Sequence, residues 1–165
     1  MTSEIYLSLG SNTGNRHALI GRAVAALSEA AKPYDGIVRV AEPVTSLPMG
    51  FDSENPFVNV GVLLSFEKAN PWTPEELERL LDMVQNIERS ISTMPHRNPD
   101  GSYRDREIDV DIISVDELTY SSPRLTIPHP MMAKRAFVLG PMAQLLPGWH
   151  HPQLHMNPEE LLAKL

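Results

Sequence analysis

The pattern of apolar and polar positions predicts a strand, a helix and two further strands in the first part of the chain. Residues 5–9 alternate as a strand does and stop at a turn, and residues 37–41 form a second short strand. Between them, residues 15–31 carry apolar side chains at helical spacing. Residues 57–66 are the clearest strand, since Val58 and every second residue after it are apolar.

A second helix is predicted to begin after Thr73. This residue is a suitable N-cap, Pro74 follows it, and Glu76 occupies the third helical position, as in a capping box. An apolar stripe then continues to about Ser92. Gln85 and Glu88 lie off this stripe, where most such residues are solvated.

Two long segments, 43–56 and 93–105, lack periodicity and contain prolines, so they are predicted to be loops. The second loop is expected to close over bound substrates. The rest of the chain predicts a short strand at 118–120, a helix within 131–146 interrupted near Gly140-Pro141, and a short C-terminal helix after Asn157.

The order of these elements favours one fold class. Two successive strands without a helix between them are typical of the ferredoxin-like α+β arrangement, an antiparallel sheet with helices packed on it. The chain is therefore predicted to be a single domain, residues 1–165, of this class with an added strand and C-terminal helices.

Paired carboxylates stand out in the segment that follows the second loop. In a strand Ile108, Val110 and Ile112 face the core, while Asp109 and Asp111 stand side by side on the other face. Two like charges at this spacing repel each other, and Asp is disfavoured in strands. The pair is either a site for a hard divalent cation such as magnesium, often bridged to phosphate, or part of a solvated outer face.

The strand at 57–66 also has a mixed second face. Phe57, Asn59 and Gly61 share it. An aromatic ring, an amide and a glycine suit the floor of a binding site, and they equally suit an ordinary outer face.

Charge and composition exclude several classes of function. The net charge is −7, which argues against nucleic-acid and anionic-membrane partners. Half of the fourteen basic residues lie between positions 89 and 135, mixed with acidic residues, as in a site for an anion held by metal and guanidinium groups. The sequence has no signal-peptide pattern and no cysteine, and its apolar runs are too short to cross a bilayer. A cytoplasmic protein is the expectation.

Other sequence motifs give little evidence about function. The chain has no G-x-x-x-x-G-K-S/T, G-x-G-x-x-G or G-x-S-x-G sequence. The turn at 10–14 is weak evidence for phosphate binding. His150, His151 and His155 could form a metal cluster, but they lie among prolines without carboxylates at helical spacing. His129, between two prolines, suits a fixed hydrogen bond.

Several motifs together resemble the 6-hydroxymethyl-7,8-dihydropterin pyrophosphokinase family of folate synthesis. The resemblance runs from about residue 7 to residue 146. It rests on Leu7-Ser8-Leu9-Gly10-Ser11-Asn12, Tyr103-x-x-Arg106-x-x-Asp109-x-Asp111-Ile112, Arg124-Leu125-Thr126-Ile127-Pro128-His129 and Arg135-Ala136-Phe137.

The resemblance implies a ferredoxin-like fold and transfer of pyrophosphate from ATP to the pterin hydroxymethyl oxygen, with release of AMP and use of two Mg²⁺ ions. It implies that Asp109 and Asp111 bind the metal and that Arg106 neutralises charge during transfer. The ATP site would also include Gln85, Glu88, Arg97, Ile112, Arg124, Thr126, His129 and Arg135. The pterin pocket, with two aromatic rings around the bicycle and an Asn amide at its edge, would include Ser46, Leu47, Met49, Phe57, Asn59, Tyr103 and Phe137.

The chain departs from the family in the second loop. Thr93-Met94 replaces a common Gly-Arg, which leaves Arg97 as the basic residue there, and Tyr103 replaces a frequent Trp. Two rival hypotheses remain: another ATP-magnesium transferase with a different small acceptor, and a non-catalytic ferredoxin-like module that senses nucleotide. A monomer acting on small molecules is expected.

Overall fold

The central feature is an antiparallel sheet. The computed structural model describes residues 1–48, 55–92, 98–100 and 105–165, and within them the sheet has five strands. They are β1 (Thr2–Ser11), β2 (Ile37–Val40), β3 (Val44–Ser46), β4 (Phe57–Glu67) and β5 (Asp109–Val115). The order is β2-β4-β1-β5, β3 also pairs with β4, and all pairings are antiparallel.

Helices cover both faces of the sheet. One apolar core lies between the sheet and two helices, α1 (Arg16–Ala31) and α2 (Pro74–Ile91). A second core lies under α3 (Ala136–Leu145) and α4 (Pro158–Ala163) on the opposite face. A small hairpin of β6 (Tyr120–Ser121) and β7 (Thr126–Ile127) lies beyond β5. The predicted ferredoxin-like α+β class, with added C-terminal helices, is confirmed.

The sequence signals for helix starts are confirmed. The Thr73 side chain accepts a hydrogen bond from the Glu76 N–H, and the Glu76 carboxylate accepts one from the Thr73 N–H. Asn15 caps α1, and Asn157 caps α4 in a second capping box. No helix in the described part of the chain has the length and apolar character needed to cross a membrane.

Three local predictions differ from the structure. The proline-rich segment 43–56 contains β3, because the edge of β4 offers it backbone partners. The short strand predicted at 118–120 lies at Tyr120–Ser121. The helix α3 continues through Pro141, which is buried over β4, and this packing offsets the backbone hydrogen bond that proline cannot make.

Close packing between α3 and the sheet predicts a large cost for Gly61→Ala. A Cβ at Gly61 would overlap the Tyr6 hydroxyl and would lie 2.8 Å from the Pro141 Cβ. The Tyr6 hydroxyl also donates to the Val138 carbonyl, so it is not free to move away. We expect the free energy of unfolding, measured with urea, to fall by about 3 kcal/mol.

Gly21→Ala is the matched control for this prediction. Gly21 is exposed on α1, and a Cβ there would meet nothing within 4 Å. The substitution is expected to raise the free energy of unfolding by about 0.5–1 kcal/mol, because alanine favours the helix. Equal effects of the two substitutions would contradict the packing argument.

Candidate active site

The two carboxylates of β5 lie on the face of the sheet opposite α1 and α2. Ile108, Val110 and Ile112 are buried in the core beneath those helices. Asp109 and Asp111 therefore project from the other face, as the alternation of the strand predicts. Both are partly buried.

Strand register places these carboxylates in line with the mixed face of β4. Gly10 of β1 pairs with Asn59 on one side and with Asp109 on the other. Because neighbouring strands are about 4.8 Å apart, Asn59 and Asp109 lie on the order of 10 Å from each other across the bare Gly10. A Cβ at Gly10 would lie 3.3 Å from both the Phe57 ring and the Asn59 Oδ1. The row Asn59–Gly10–Asp109 forms a floor without a central side chain.

Each carboxylate has an arginine beside it. Arg106 Nη1 lies 2.8 Å from Asp109 Oδ2, and Arg135 Nη1 lies 3.8 Å from Asp111 Oδ2. The Arg135 guanidinium also lies over the Phe137 ring, 5.8 Å from its centroid. These arginines place positive charge beside both carboxylates, with Arg135 at the start of α3.

A pocket of about 400 Å³ opens beside the Asp pair, between α2, β5 and the β6–β7 hairpin. Most of the residues that the resemblance assigns to ATP line it. Besides both aspartates, they are Gln85, Glu88, Ile112, Arg124, Thr126 and His129.

Glu88 is buried, although its position off the apolar stripe of α2 predicted solvation. Its Oε2 accepts a hydrogen bond from the Val110 N–H at 2.8 Å, which ties α2 to β5. Burial, and next the charge of Asp109, raise the pKa of Glu88 to about 8. Burial and Asp109 also raise the pKa of Asp111, although Arg135 and Arg106 oppose them.

Arg124 and His129 lie on the far side of the pocket. Arg124 donates hydrogen bonds to the Asp82 carboxylate at 2.6 Å and to the Gln85 amide oxygen at 3.3 Å, so two side chains of α2 hold it beside the pocket. The His129 Nδ1 accepts a hydrogen bond from the Met131 N–H. Burial lowers the pKa of His129 to about 4, and its imidazole is therefore neutral at pH 7.

Asn59 is the best-fixed of the residues expected to bind pterin. It is buried, and its Nδ2 donates to the Ser46 Oγ at 2.8 Å and to the Val44 carbonyl at 3.3 Å. Phe57 and Phe137 are half-buried, and Leu47 is 79% exposed. The remaining predicted site residues, Met49, Arg97 and Tyr103, lie outside the described residues, as does most of the loop predicted to close.

The three C-terminal histidines form no metal-binding group within the described residues, and one of them, His151, has a structural role. His151 is buried, and its Nδ1 accepts hydrogen bonds from the backbone N–H groups of Gln153 and Leu154. The sequence placed Asn12 in a motif and in the turn at 10–14 but gave it no contact with the site residues. Asn12 is buried where β1 ends and contacts Arg106, and only the register of β1 against β5 could have indicated this.

Comparison with known proteins agrees with the resemblance. A family described as 7,8-dihydro-6-hydroxymethylpterin-pyrophosphokinase matches residues 6–147. The chain belongs to this family. A 2-amino-4-hydroxy-6-hydroxymethyldihydropteridine pyrophosphokinase of Porphyromonas gingivalis is 37% identical over 150 residues, which cover 90% of this chain and 94% of the relative. The enzyme of that name from Pseudomonas aeruginosa is 33% identical over 99% of this chain and 93% of its own.

Longer proteins contain similar regions. The folic acid synthesis protein of Schizosaccharomyces pombe is 32% identical over 97% of this chain but only 20% of its own length. The solved structure of an HPPK-DHPS protein in complex with substrates matches with a TM-score of 0.65 and 11% identity, over 99% of this chain and 43% of that one. At this low identity, the similarity to the solved structure supports the fold alone.

The carboxylates of this pyrophosphokinase-family chain fit a magnesium site formed jointly with a substrate. Within the described residues, no three His, Cys, Asp or Glu side chains are grouped so that they could hold a metal ion by themselves. Mg²⁺ at phosphate-transfer sites is held by one or two carboxylates together with substrate phosphates, and Asp109 and Asp111 supply such oxygens. The raised pKa of Asp111 indicates negative charge that a cation would stabilise.

The raised pKa of Glu88 predicts that Glu88→Gln becomes more stable relative to wild type as the pH rises, when no metal is bound. This pKa is raised from 4.5 to about 8 in the folded chain. Between these values the unfolded chain releases the proton first, so stability falls as the pH rises. Glu88→Gln keeps an acceptor for the Val110 N–H without the charge. We expect its free energy of unfolding, relative to wild type, to rise by on the order of 2 kcal/mol from pH 5 to pH 8.

Urea unfolding in the presence of a chelator, at several pH values, measures this difference. The matched control is Glu75→Gln, which makes the same change at an exposed residue in the first turn of α2. A wild-type-to-Glu88→Gln difference that stays constant from pH 5 to pH 8 would contradict the raised pKa.

Proposed function

We propose that this protein transfers the pyrophosphoryl group of ATP to the hydroxymethyl oxygen of 6-hydroxymethyl-7,8-dihydropterin, giving the pterin diphosphate and AMP in folate biosynthesis. Membership of the family supports this activity. The structural observation that best supports it is the row Asn59–Gly10–Asp109. This row places the Asn59 amide and the neighbouring Phe57 ring on the same face of the sheet as the carboxylate pair.

In this proposal ATP occupies the 400 Å³ pocket beside the Asp pair. Its contacts are Gln85, Glu88, Arg97, Arg106, Ile112, Arg124, Thr126, His129 and Arg135. ATP carries about four negative charges, so Arg124 in the pocket, and Arg106 and Arg135 beside the Asp pair, serve to orient the phosphates. The His129 Nδ1 already accepts from the Met131 N–H, so the neutral imidazole presents an Nε2–H that can donate to ATP without adding charge.

The pterin lies on the floor at Gly10. Its contacts are Ser46, Leu47, Met49, Phe57, Asn59, Tyr103 and Phe137. Because Gly10 has no side chain, a flat bicycle can approach the backbone of β1 beside the Phe57 ring. The Asn59 Nδ2 is already engaged by Ser46 and Val44, so its Oδ1 remains to accept hydrogen bonds from the N–H groups at the pterin edge.

The reaction needs alignment and charge neutralisation more than covalent work by the protein. The pterin hydroxyl oxygen forms a bond to the β-phosphorus of ATP. The bond between that phosphorus and the oxygen bridging to the α-phosphate breaks, AMP leaves with this oxygen, and the hydroxyl proton passes to solvent. Arg106 lies beside Asp109, where it can neutralise charge that develops on the transferred group.

We propose that Asp109 and Asp111 hold two Mg²⁺ ions together with the phosphates of ATP. Bound there, the ions supply charge neutralisation and Lewis-acid polarisation of the phosphoryl oxygens. Arg106 and Arg135 lie beside these carboxylates, where their guanidinium groups can also bind the phosphates.

We further propose that residues 1–165 act as one pyrophosphokinase domain, as a monomer, and in the cytoplasm, where ATP is available. In support, the carboxylates, Asn59 and the pocket all come from a single chain. Light scattering at micromolar protein concentration would test the monomer.

The identity of the nucleotide product tests the proposed function. Protein, ATP, magnesium and 6-hydroxymethyl-7,8-dihydropterin are incubated, and the nucleotides are separated. We expect AMP in amounts equal to the pterin diphosphate, since attack at the β-phosphorus transfers both outer phosphates. ADP would mean ordinary phosphorylation by attack at the γ-phosphorus. ATP consumption that does not depend on the pterin would indicate a different acceptor.

A further inference from the structure

Asn12 is a buried amide at the point where β1 ends. Only 1% of its surface is exposed. Burying an amide is costly unless it is hydrogen-bonded. The partners of Asn12 lie just before the two strands that contribute most to the site, β4 and β5. Asn12 belongs to the turn at 10–14 that the sequence offered as weak evidence for phosphate binding, and its amide is bonded to the protein itself.

On one side Asn12 holds the backbone of Arg106. Its N–H donates to the Arg106 carbonyl at 3.0 Å, and its Oδ1 accepts from the Arg106 N–H at 2.6 Å. The side chain thereby replaces a backbone carbonyl and extends the β1–β5 pairing past Gly10 and Asp109. Both backbone groups of Arg106 are held in this way, and its guanidinium lies 2.8 Å from Asp109.

On the other side Asn12 joins Arg106 to the entry of β4. Its Nδ2 donates to Asp105 Oδ1 at 2.8 Å and to the Asn55 carbonyl at 3.2 Å. Asn55 in turn donates from its own Nδ2 to Asp105 Oδ2 at 2.9 Å. Asn55 lies two residues before Phe57. The three side chains of Asn12, Asn55 and Asp105 therefore form a closed polar cluster between the two strands.

We infer that Asn12 is a positioning residue that sets the distance between the pterin-binding end of β4 and the Arg106–Asp109 end of β5. This inference rests on the proposed function. The Asn12 amide is engaged by protein groups on both sides, so it acts through these partners. When its bonds are lost, Arg106 is no longer held at Asp109 and Phe57 is no longer held relative to Gly10, whereas the ATP pocket beyond β5 keeps its own supports in α2 and the β6–β7 hairpin.

Asn12→Asp separates the two sides of the cluster. The new carboxylate still accepts from the Arg106 N–H but faces the Asp105 carboxylate without a donor. We expect kcat to fall by about 30-fold, because small displacements of aligned groups are costly, and KM for the pterin to rise several-fold. KM for ATP should change by less than about twofold, since the aspartate still accepts from the Arg106 N–H and Asn12 is bonded to no other proposed ATP contact among the described residues.

Adding Asp105→Asn tests the mechanism by rescue. In the double variant the carboxamide at position 105 can donate to the carboxylate at position 12 and still accept from the Asn55 Nδ2. We expect it to recover about tenfold of the lost kcat and to lower the pterin KM again. The matched control is Asn15→Asp three residues further on, where Asn15 caps α1 and Asp caps equally well; it should behave as wild type.

A purely structural role would give a different result. It would lower the melting temperature and the active fraction, leave both KM values unchanged, and show no rescue, and this result would overturn the inference. If Asn12→Asp fails to fold, Asp105→Ala removes the same Asn12–Asp105 bond at a half-buried position and should raise the pterin KM selectively. Absence of AMP with the wild-type protein would refute the proposed function instead, whereas AMP formation with an unaffected Asn12 variant would refute only this inference.

Discussion

Asp109→Asn and Asp111→Asn are each expected to lower pyrophosphoryl transfer by at least about 10³-fold while the fold is retained. Each change keeps the shape of the side chain but removes an anionic oxygen from the carboxylate pair, and the loss of several kcal/mol of charge stabilisation corresponds to this factor. AMP formation at saturating substrate and moderate magnesium measures it. Turnover close to wild type in either variant would refute the metal assignment.

The two variants should differ in metal-free stability. Asp111 has a raised pKa from burial and from Asp109, so its neutralisation is expected to stabilise the metal-free chain at neutral pH. Asp109→Asn instead removes the 2.8 Å partner of Arg106 and should not stabilise the chain. Urea unfolding with a chelator separates these outcomes. Glu117→Gln, an exposed position just after β5, is the control and should change neither activity nor stability.

Asn59→Leu is expected to lower kcat/KM for the pterin by about 10³-fold. The leucine cannot accept a hydrogen bond, so the N–H groups at the pterin edge would be buried without an acceptor. Burying unpaired donors strongly disfavours binding of the pterin and of the transition state. KM for ATP should stay within about twofold, since Asn59 lies on the order of 10 Å from the Asp-bearing strand. Steady-state kinetics with each substrate varied in turn measure the split.

Ser46→Ala is the matched control for Asn59. It removes one of the two acceptors of the Asn59 Nδ2 but leaves the amide in place, with the Val44 carbonyl still bound. The expected loss in kcat/KM for the pterin is below about tenfold. A loss equal to that of Asn59→Leu would mean that the serine, and not the amide, recognises the pterin.

The outcome for α2 illustrates what local patterns can and cannot determine. Thr73, Pro74 and Glu76 specify where the helix begins, because a capping box is a contact within one turn. The apolar stripe specifies the buried face. Neither the capping box nor the apolar stripe could predict that Glu88 is buried. Its carboxylate is buried because it accepts a hydrogen bond from the Val110 N–H of β5, which is 22 residues away in the sequence.

Local patterns failed in two other places for the same reason. The strand β3 lies in a proline-rich segment that lacks periodicity, and it forms because β4 offers an open edge. The helix α3 passes through Pro141, since Gly61 leaves space for the ring on the sheet. In both cases a partner distant in sequence outweighs the local propensity.

By itself the sequence determined the α+β class, the opposed faces of β5 and the resemblance to the pyrophosphokinase family, because strand alternation, helix caps and motif spacing are properties of neighbouring residues. Only the tertiary structure aligned Asn59, Gly10 and Asp109 in one row, placed Asp82 against Arg124, and enclosed Asn12 between Arg106 and Asp105. Register between strands and contacts between distant segments decide such arrangements, and these depend on how the whole chain packs.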